Sequence, residues 1–125
     1  FFFNVSASTE FFKRCIVGSV SCVLVSGFQH TSASLIVQEN ADPDVQTDLI
    51  NYFDNLVPMD DKLYVHKTEG KDDMPAHIKS ALTNNQISLS IKNGELLLGT
   101  WQGIYLFEHR LNIQNRTVIH HFLGI

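Results

Sequence analysis

What this chain lacks narrows its identity first. In 125 residues it has two cysteines, Cys15 and Cys22. A disulfide scaffold needs more, and neither belongs to a closely spaced zinc-binding pair. They lie in one apolar run; if that run is a strand, their odd spacing sends them to opposite faces, and both read as core thiols. A basic surplus is also missing: 9 Lys and Arg against 13 Asp and Glu give a net charge of −4. That argues against a nucleic-acid partner, whose phosphates call for clustered positive charge. No apolar run approaches the roughly 20 residues that cross a bilayer. Lys13-Arg14 followed by Cys15 to Val25 imitates a signal peptide, but the stretch is short and leads to His30 with no cleavage spacer. A cytoplasmic protein without a membrane segment is expected. Glycine-rich phosphate loops of the Walker or Rossmann type do not occur. Nor does the Gly-x-Ser-x-Gly elbow that a hydrolytic pairing of Ser32 with His30 would need. Without repeats, low-complexity tracts or a linker, residues 1–125 read as one domain.

What is present is a core-forming composition, 44% hydrophobic and 18% charged. Phe1 to Val5 suits a first strand, and Val20 and Cys22 to Val25 a second, buried one closed by Gly27. Leu35 to Val37 suit a third. Asp42 as N-cap, Pro43 in the first turn and Asp44 at the positive helix end open a helix. Its apolar face is Val45, Leu49, Phe53 and Leu56, and Pro58 ends it. A polar loop from Met59 to Asp73 leads to a second, shorter helix around Pro75, with Ile78 and Leu82 expected inward and Asn84-Asn85 as a left-handed stop. Period-two alternation then takes over at Ile87, Leu89 and Ile91, with a hairpin turn at Asn93-Gly94 and a return through Leu96 and Leu98. Ile104 to Phe107 and Arg116 to Phe122 complete the strands. The order predicts an α+β fold: a mainly antiparallel sheet with two helices packed on one face.

The chemistry gathers around six histidines. His30 sits at a strand end in His30-Thr31-Ser32-Ala33-Ser34, His66 in the irregular stretch, and His77 in the first turns of the second helix. Glu39, Asp42, Asp44 and Asp48 cluster just after the first of these. Neutral imidazoles and carboxylates together suit zinc, manganese or iron-type ions. His66 and His77 lack the four-residue spacing of a zinc-protease helix, so folding must bring them together. His109, His120 and His121 read as ordinary core or surface histidines. Trp101 and Gln102, flanked by Gly99 and Gly103, form either a bulge with a core tryptophan or a flat stacking surface. Glu108 and Arg110, two apart, could pair with each other or grip an anion.

Taken as a set, the motifs resemble the YjbQ family. They are His30 to Leu35, Glu39-Asn40-Ala41-Asp42-Pro43-Asp44-Val45, Asp48-Leu49, His66, Gly70, Asp72 to Lys79, Asn93-Gly94, Gly99 to Tyr105, and Glu108-His109-Arg110. They run in order from about Val23 to Gly124. Residues 1–18 depart from the pattern, being too short for the strand, glycine turn and helix that usually come first. The resemblance implies a homotrimer and a secondary thiamine-phosphate synthase. That reaction joins a hydroxymethylpyrimidine diphosphate to a thiazole phosphate and expels pyrophosphate. On that basis His30, His66 and His77, with Glu39 or Asp48, are expected to hold a divalent ion of Mg or Zn type. Arg110 and Lys79 are expected to contact phosphate and Trp101 to stack, with Ser32, Asn40, Gln102 and Glu108 also lining the site. A non-enzymatic metal or small-ligand binding trimer is the alternative.

Overall fold

The computed structural model describes residues 2–5 and 22–124; Cys15 and Val20 lie outside them. Seven strands and two helices follow in order: β1 Phe2–Asn4, β2 Cys22–Phe28, β3 Ala33–Glu39, α1 Pro43–Leu56, α2 Asp73–Leu82, β4 Gln86–Lys92, β5 Glu95–Leu96, β6 Gln102–Glu108 and β7 Val118–Leu123. Two sheets form where one was expected, a three-stranded sheet β1-β6-β3 and a four-stranded sheet β5-β4-β2-β7, with every pairing antiparallel. Alternation in a sequence reports which faces are buried, not which strands pair, so the split was invisible in it.

The main core lies between the sheets, where Ala33, Leu35 and Ile104 meet Phe28 and Ile87. Strand β6 is buried on both faces because a layer packs on each: Ile104 points to the core between the sheets, while Tyr105 and Phe107 lie on the opposite face. There Phe107 meets Phe53 of α1 at 5.5 Å between ring centroids, and Ser34 meets Thr83 at the end of α2. The helices thus cover the outer face of the smaller sheet. Cys22 is buried in a second cluster with Leu24 and Ile91.

Local chemistry sets the element ends. Asp42 caps α1, its carboxylate accepting from the Asp44 N–H at 2.9 Å, with Pro43 in the first turn. Asn93 and Gly94 both take positive φ, 53° and 77°, as a tight β4–β5 hairpin requires. Helix α2 departs from expectation in two ways. Its buried residues are Asp73, Pro75, Ala76 and Lys79, whereas Leu82 is exposed. Charged residues turn inward because partners wait there, Arg110 for Asp73 and Asp54 for Lys79. It also ends in an extended Thr83, whose hydroxyl donates to the Lys79 carbonyl. Asn84 and Asn85 do not turn left-handed; their carbonyls accept from Leu35 and Phe28 and lead directly into β4.

Candidate metal centre

Strand β3 pairs with β6 from Ala33↔Glu108 at one end to Glu39↔Gln102 at the other. Six strand steps of about 3.3 Å put those ends about 20 Å apart. The residues singled out in the sequence divide between them. His30, Ser32, His66, His77, Lys79, Glu108 and Arg110 gather around the Ala33 end. Glu39, Asn40, Trp101 and Gln102 gather at the other, where the Asn40 N–H donates to the Trp101 carbonyl at 2.9 Å. Trp101 is 65% exposed there, neither a core residue nor close to the histidines. Asp48 lies exposed along α1.

At the Ala33 end, three donors converge. His66 Nε2 lies 2.8 Å and His77 Nε2 3.3 Å from the same oxygen, Oδ2 of Asp73. Asp73 and His77 are four residues apart on α2, so helix geometry alone stacks them on one face. His66 arrives from the loop before the helix. All three donor atoms lie within 4.8 Å of one another, and this is the one such group among the described residues. His30 does not join it. Its Nε2 accepts from the Thr117 N–H at 2.9 Å, while its ring shares an open, polar cleft with His77, Ser80, Thr83 and Asn85.

The surroundings prepare these atoms. His77 Nδ1 is 2.9 Å from the Thr31 carbonyl, which can only accept, so Nδ1 carries the hydrogen. The ring is thereby oriented with Nε2 toward Asp73, the outer-sphere arrangement usual for metal-bound histidines. Unless a proton or metal ion stands between them, the lone pairs of Nε2 and Oδ2 face each other. Tetrahedral coordination with bonds of about 2.0–2.1 Å puts neighbouring donors about 3.3 Å apart; the His77–Asp73 pair stands at 3.3 Å, while the His66–Asp73 pair, at 2.8 Å, stands at hydrogen-bond distance. Two imidazoles and one carboxylate leave further positions for water or substrate and suit zinc, manganese or iron.

Asp73 is buried, which by itself would raise its pKa. The His66 hydrogen bond and the charges of Arg110 and His77 outweigh burial and hold it below the usual carboxylate range. Arg110 binds Asp73 Oδ1, donates from Nε to Asp72 at 2.9 Å, and reaches the Glu69 carbonyl. Gly70, at φ 108°, makes room for this knot: a Cβ there would come 3.1 Å from an Asp72 oxygen. Arg110 therefore does not pair with Glu108. Glu108 forms a buried two-pronged pair with Arg116, at 2.7 and 2.5 Å. Chain reversal after β6 turns Arg110 toward α2, away from the strand face that sequence spacing suggested. Lys79 is buried and bonded to Asp54 of α1. His109, read from sequence as ordinary, is buried with Nε2 2.7 Å from Ser34 Oγ and no partner on Nδ1 among the described residues. The carboxylate at the centre, Asp73, was not singled out as a ligand; the Asp-x-x-x-His spacing at a helix start was the signal for it.

Comparison with known proteins points one way. A family model described as "UPF0047 protein YjbQ-like" matches residues 12–125. The UPF0047 protein sll1880 of Synechocystis is 60% identical over 96 residues, 77% of this chain and 65% of that protein. The UPF0047 protein YjbQ of Escherichia coli O157:H7 is 47% identical over 91 residues, 73% of this chain and 65% of that protein. The match thus spans just under two thirds of these relatives' own length. Among solved structures, an uncharacterized YjbQ/UPF0047 family protein from Clostridium acetobutylicum aligns with a TM-score of 0.72 at 28% identity, covering 100% of this chain and 91% of that one. A conserved hypothetical protein from Thermus thermophilus aligns with a TM-score of 0.76 at 30% identity, covering 98% and 90%.

Proposed function

The chain belongs to the YjbQ-like UPF0047 family, and on that premise we propose that it is a metal-dependent transferase of the thiamine-phosphate synthase type. The observation that carries the metal reading is the convergence of His66 Nε2, His77 Nε2 and Asp73 Oδ2, with His77 held in the ligating tautomer by Thr31. The choice of reaction rests on the family resemblance. A bound divalent ion would neutralise diphosphate oxygens and help pyrophosphate leave. The chain's own groups do the rest. Arg110 keeps Asp73 ionised and in place, and the Thr31 carbonyl orients His77. The cleft beside His77 is also lined by His30, Ser80, Thr83 and Asn85. The Ser80 and Thr83 hydroxyls donate within the protein, to Ala33 and Lys79, which leaves the Asn85 amide as a side-chain donor for a phosphorylated substrate. The proposal includes a homotrimer and a cytoplasmic location; no helix among the described residues is long and apolar enough to cross a membrane.

The test pairs metal binding with turnover. Calorimetric titration with Zn2+ and Mn2+ should give one tight site per chain. His77→Ala should weaken it by about 10-fold or more, with little loss of fold because the site is a partly exposed helical position. Pyrophosphate release from the two phosphorylated substrates should fall with it, whereas Trp101→Phe, at the other sheet end, should leave metal binding intact. A His77→Ala protein that folds, loses the ion and keeps the parent rate would refute the metal mechanism. A parent that binds the ion but never releases pyrophosphate would be a binding protein rather than an enzyme.

A further inference from the structure

The two oxygens of Asp73 look in different directions. Oδ2 faces the imidazoles, while Oδ1 faces Arg110, and Arg110 borders a cavity of about 140 Å3 between α1 and β6. Ile50, Phe53, Met59 and Phe107 supply apolar wall, and Lys79, Glu108 and His109 are the buried polar groups of the lining. A cavity of about 150 Å3 with aliphatic and aromatic walls is large enough for benzene.

Lys79 gives this cavity its chemistry. Its side chain is 5% exposed, yet its partner among the described residues, Asp54, is half exposed and takes one of three N–H donors. A buried ammonium with donors to spare beside an apolar cavity selects for a hydrogen-bond acceptor. The acceptor has no reason to be an anion, because the nearby charges are already matched: Lys79 by Asp54, Arg110 by Asp72 and Asp73, Glu108 by Arg116. We propose that this cavity is a second ligand site, for a neutral single-ring heteroaromatic compound. Its ring lies against Phe53 and Phe107, and its ring nitrogen or carbonyl accepts from Lys79. The site needs no metal ion, so it goes beyond the preceding reading and stands or falls separately.

The chain has two methionines, Met59 on the cavity wall and Met74 on α2, which makes the test direct. With 13C-methyl methionine labelling and a chelator present, pyridine, benzene and benzoate are titrated in turn near pH 7.5. Pyridine should shift the Met59 methyl signal saturably, leave Met74 in place, and bind about 10-fold tighter than benzene or benzoate, the effect of one hydrogen bond to a charged donor. Ile50→Trp, which fills the cavity, should abolish the shift. Lys79→Met, which keeps the chain length and leaves Asp54 in solvent, should erase the difference between pyridine and benzene. The proposal is overturned if Met59 does not respond, if benzene or benzoate binds as well as pyridine in the parent, or if Lys79→Met leaves the preference intact. Should Ile50→Trp fail to fold, the parent's discrimination and Lys79→Met still decide.

Discussion

Mild acid should destabilise this protein through His109 in a pH range where its paired carboxylates do not yet matter. His109 is 5% exposed, and its pKa is pushed from 6.5 down to about 3. Burial is the main cause; the Lys79 charge and, more weakly, Arg116 add to it, against the opposing pull of Glu108. The unfolded chain therefore takes up a proton below pH 6.5 that the folded chain refuses. Stability is complete above 6.5 and falls as the pH drops toward 3, by up to about 1.36 kcal/mol per unit. At pH 5 the loss is about 2 kcal/mol, a large part of a small domain's margin. Asp72, Asp73 and Glu108 have lowered pKa values, so the stability they contribute is present above the ordinary carboxylate range and disappears only at lower pH. Urea unfolding at pH 7 and pH 5 measures the effect, with His109→Phe as reference. Phenylalanine keeps a ring beside Phe107 and cannot titrate, while Ser34 retains Thr83 as a partner. The parent should lose about 2 kcal/mol more than the variant between the two pH values. Equal losses would show that His109 is protonated in the folded protein and that its burial has been misread.

Three further outcomes follow from the fold. Glu108→Gln should cost about 3–5 kcal/mol in chemical unfolding, because it leaves the Arg116 guanidinium, 8% exposed, without its counter-charge; a cost below about 1 kcal/mol would mean water reaches Arg116. Asp42→Ala removes the α1 cap and should cost about 1 kcal/mol, with Asp42→Asn close to the parent. Gly94→Ala should cost about 1 kcal/mol, since alanine must adopt the positive φ of the hairpin; an unchanged midpoint would show that the turn relaxes to another type.

Helix α1 could be read from sequence because its signals are local: a capping aspartate, a first-turn proline and a 3.6-residue stripe, although Leu56 at the end of that stripe is exposed. Strands β4 and β5 were legible for the same reason, through alternation and the Asn93-Gly94 turn. Helix α2 was legible as a helix but not in its orientation, because Asp73 and Lys79 turn inward for partners 37 and 25 residues away. The fold brings His66 and His77 together, yet the group that meets them is Asp73, not His30 or an acid of the Glu39 to Asp48 group. Motif order cannot say which end of a strand a residue occupies once the strand pairs, and the β3–β6 register separated Trp101 from the histidines.

That register bears on how substitutions will combine. Arg110, His66 and His77 all bear on one carboxylate, so a loss at one alters what the others contribute, and their pairwise coupling energies should be far from zero. Trp101 and Gln102 lie beyond the roughly 10 Å within which coupling is ordinarily felt. Within one chain, Trp101→Phe and His77→Ala should therefore be thermodynamically independent, the double variant showing the sum of the single effects. A measured coupling between them would require a ligand long enough to touch both ends, or a neighbouring chain that folds the distance away.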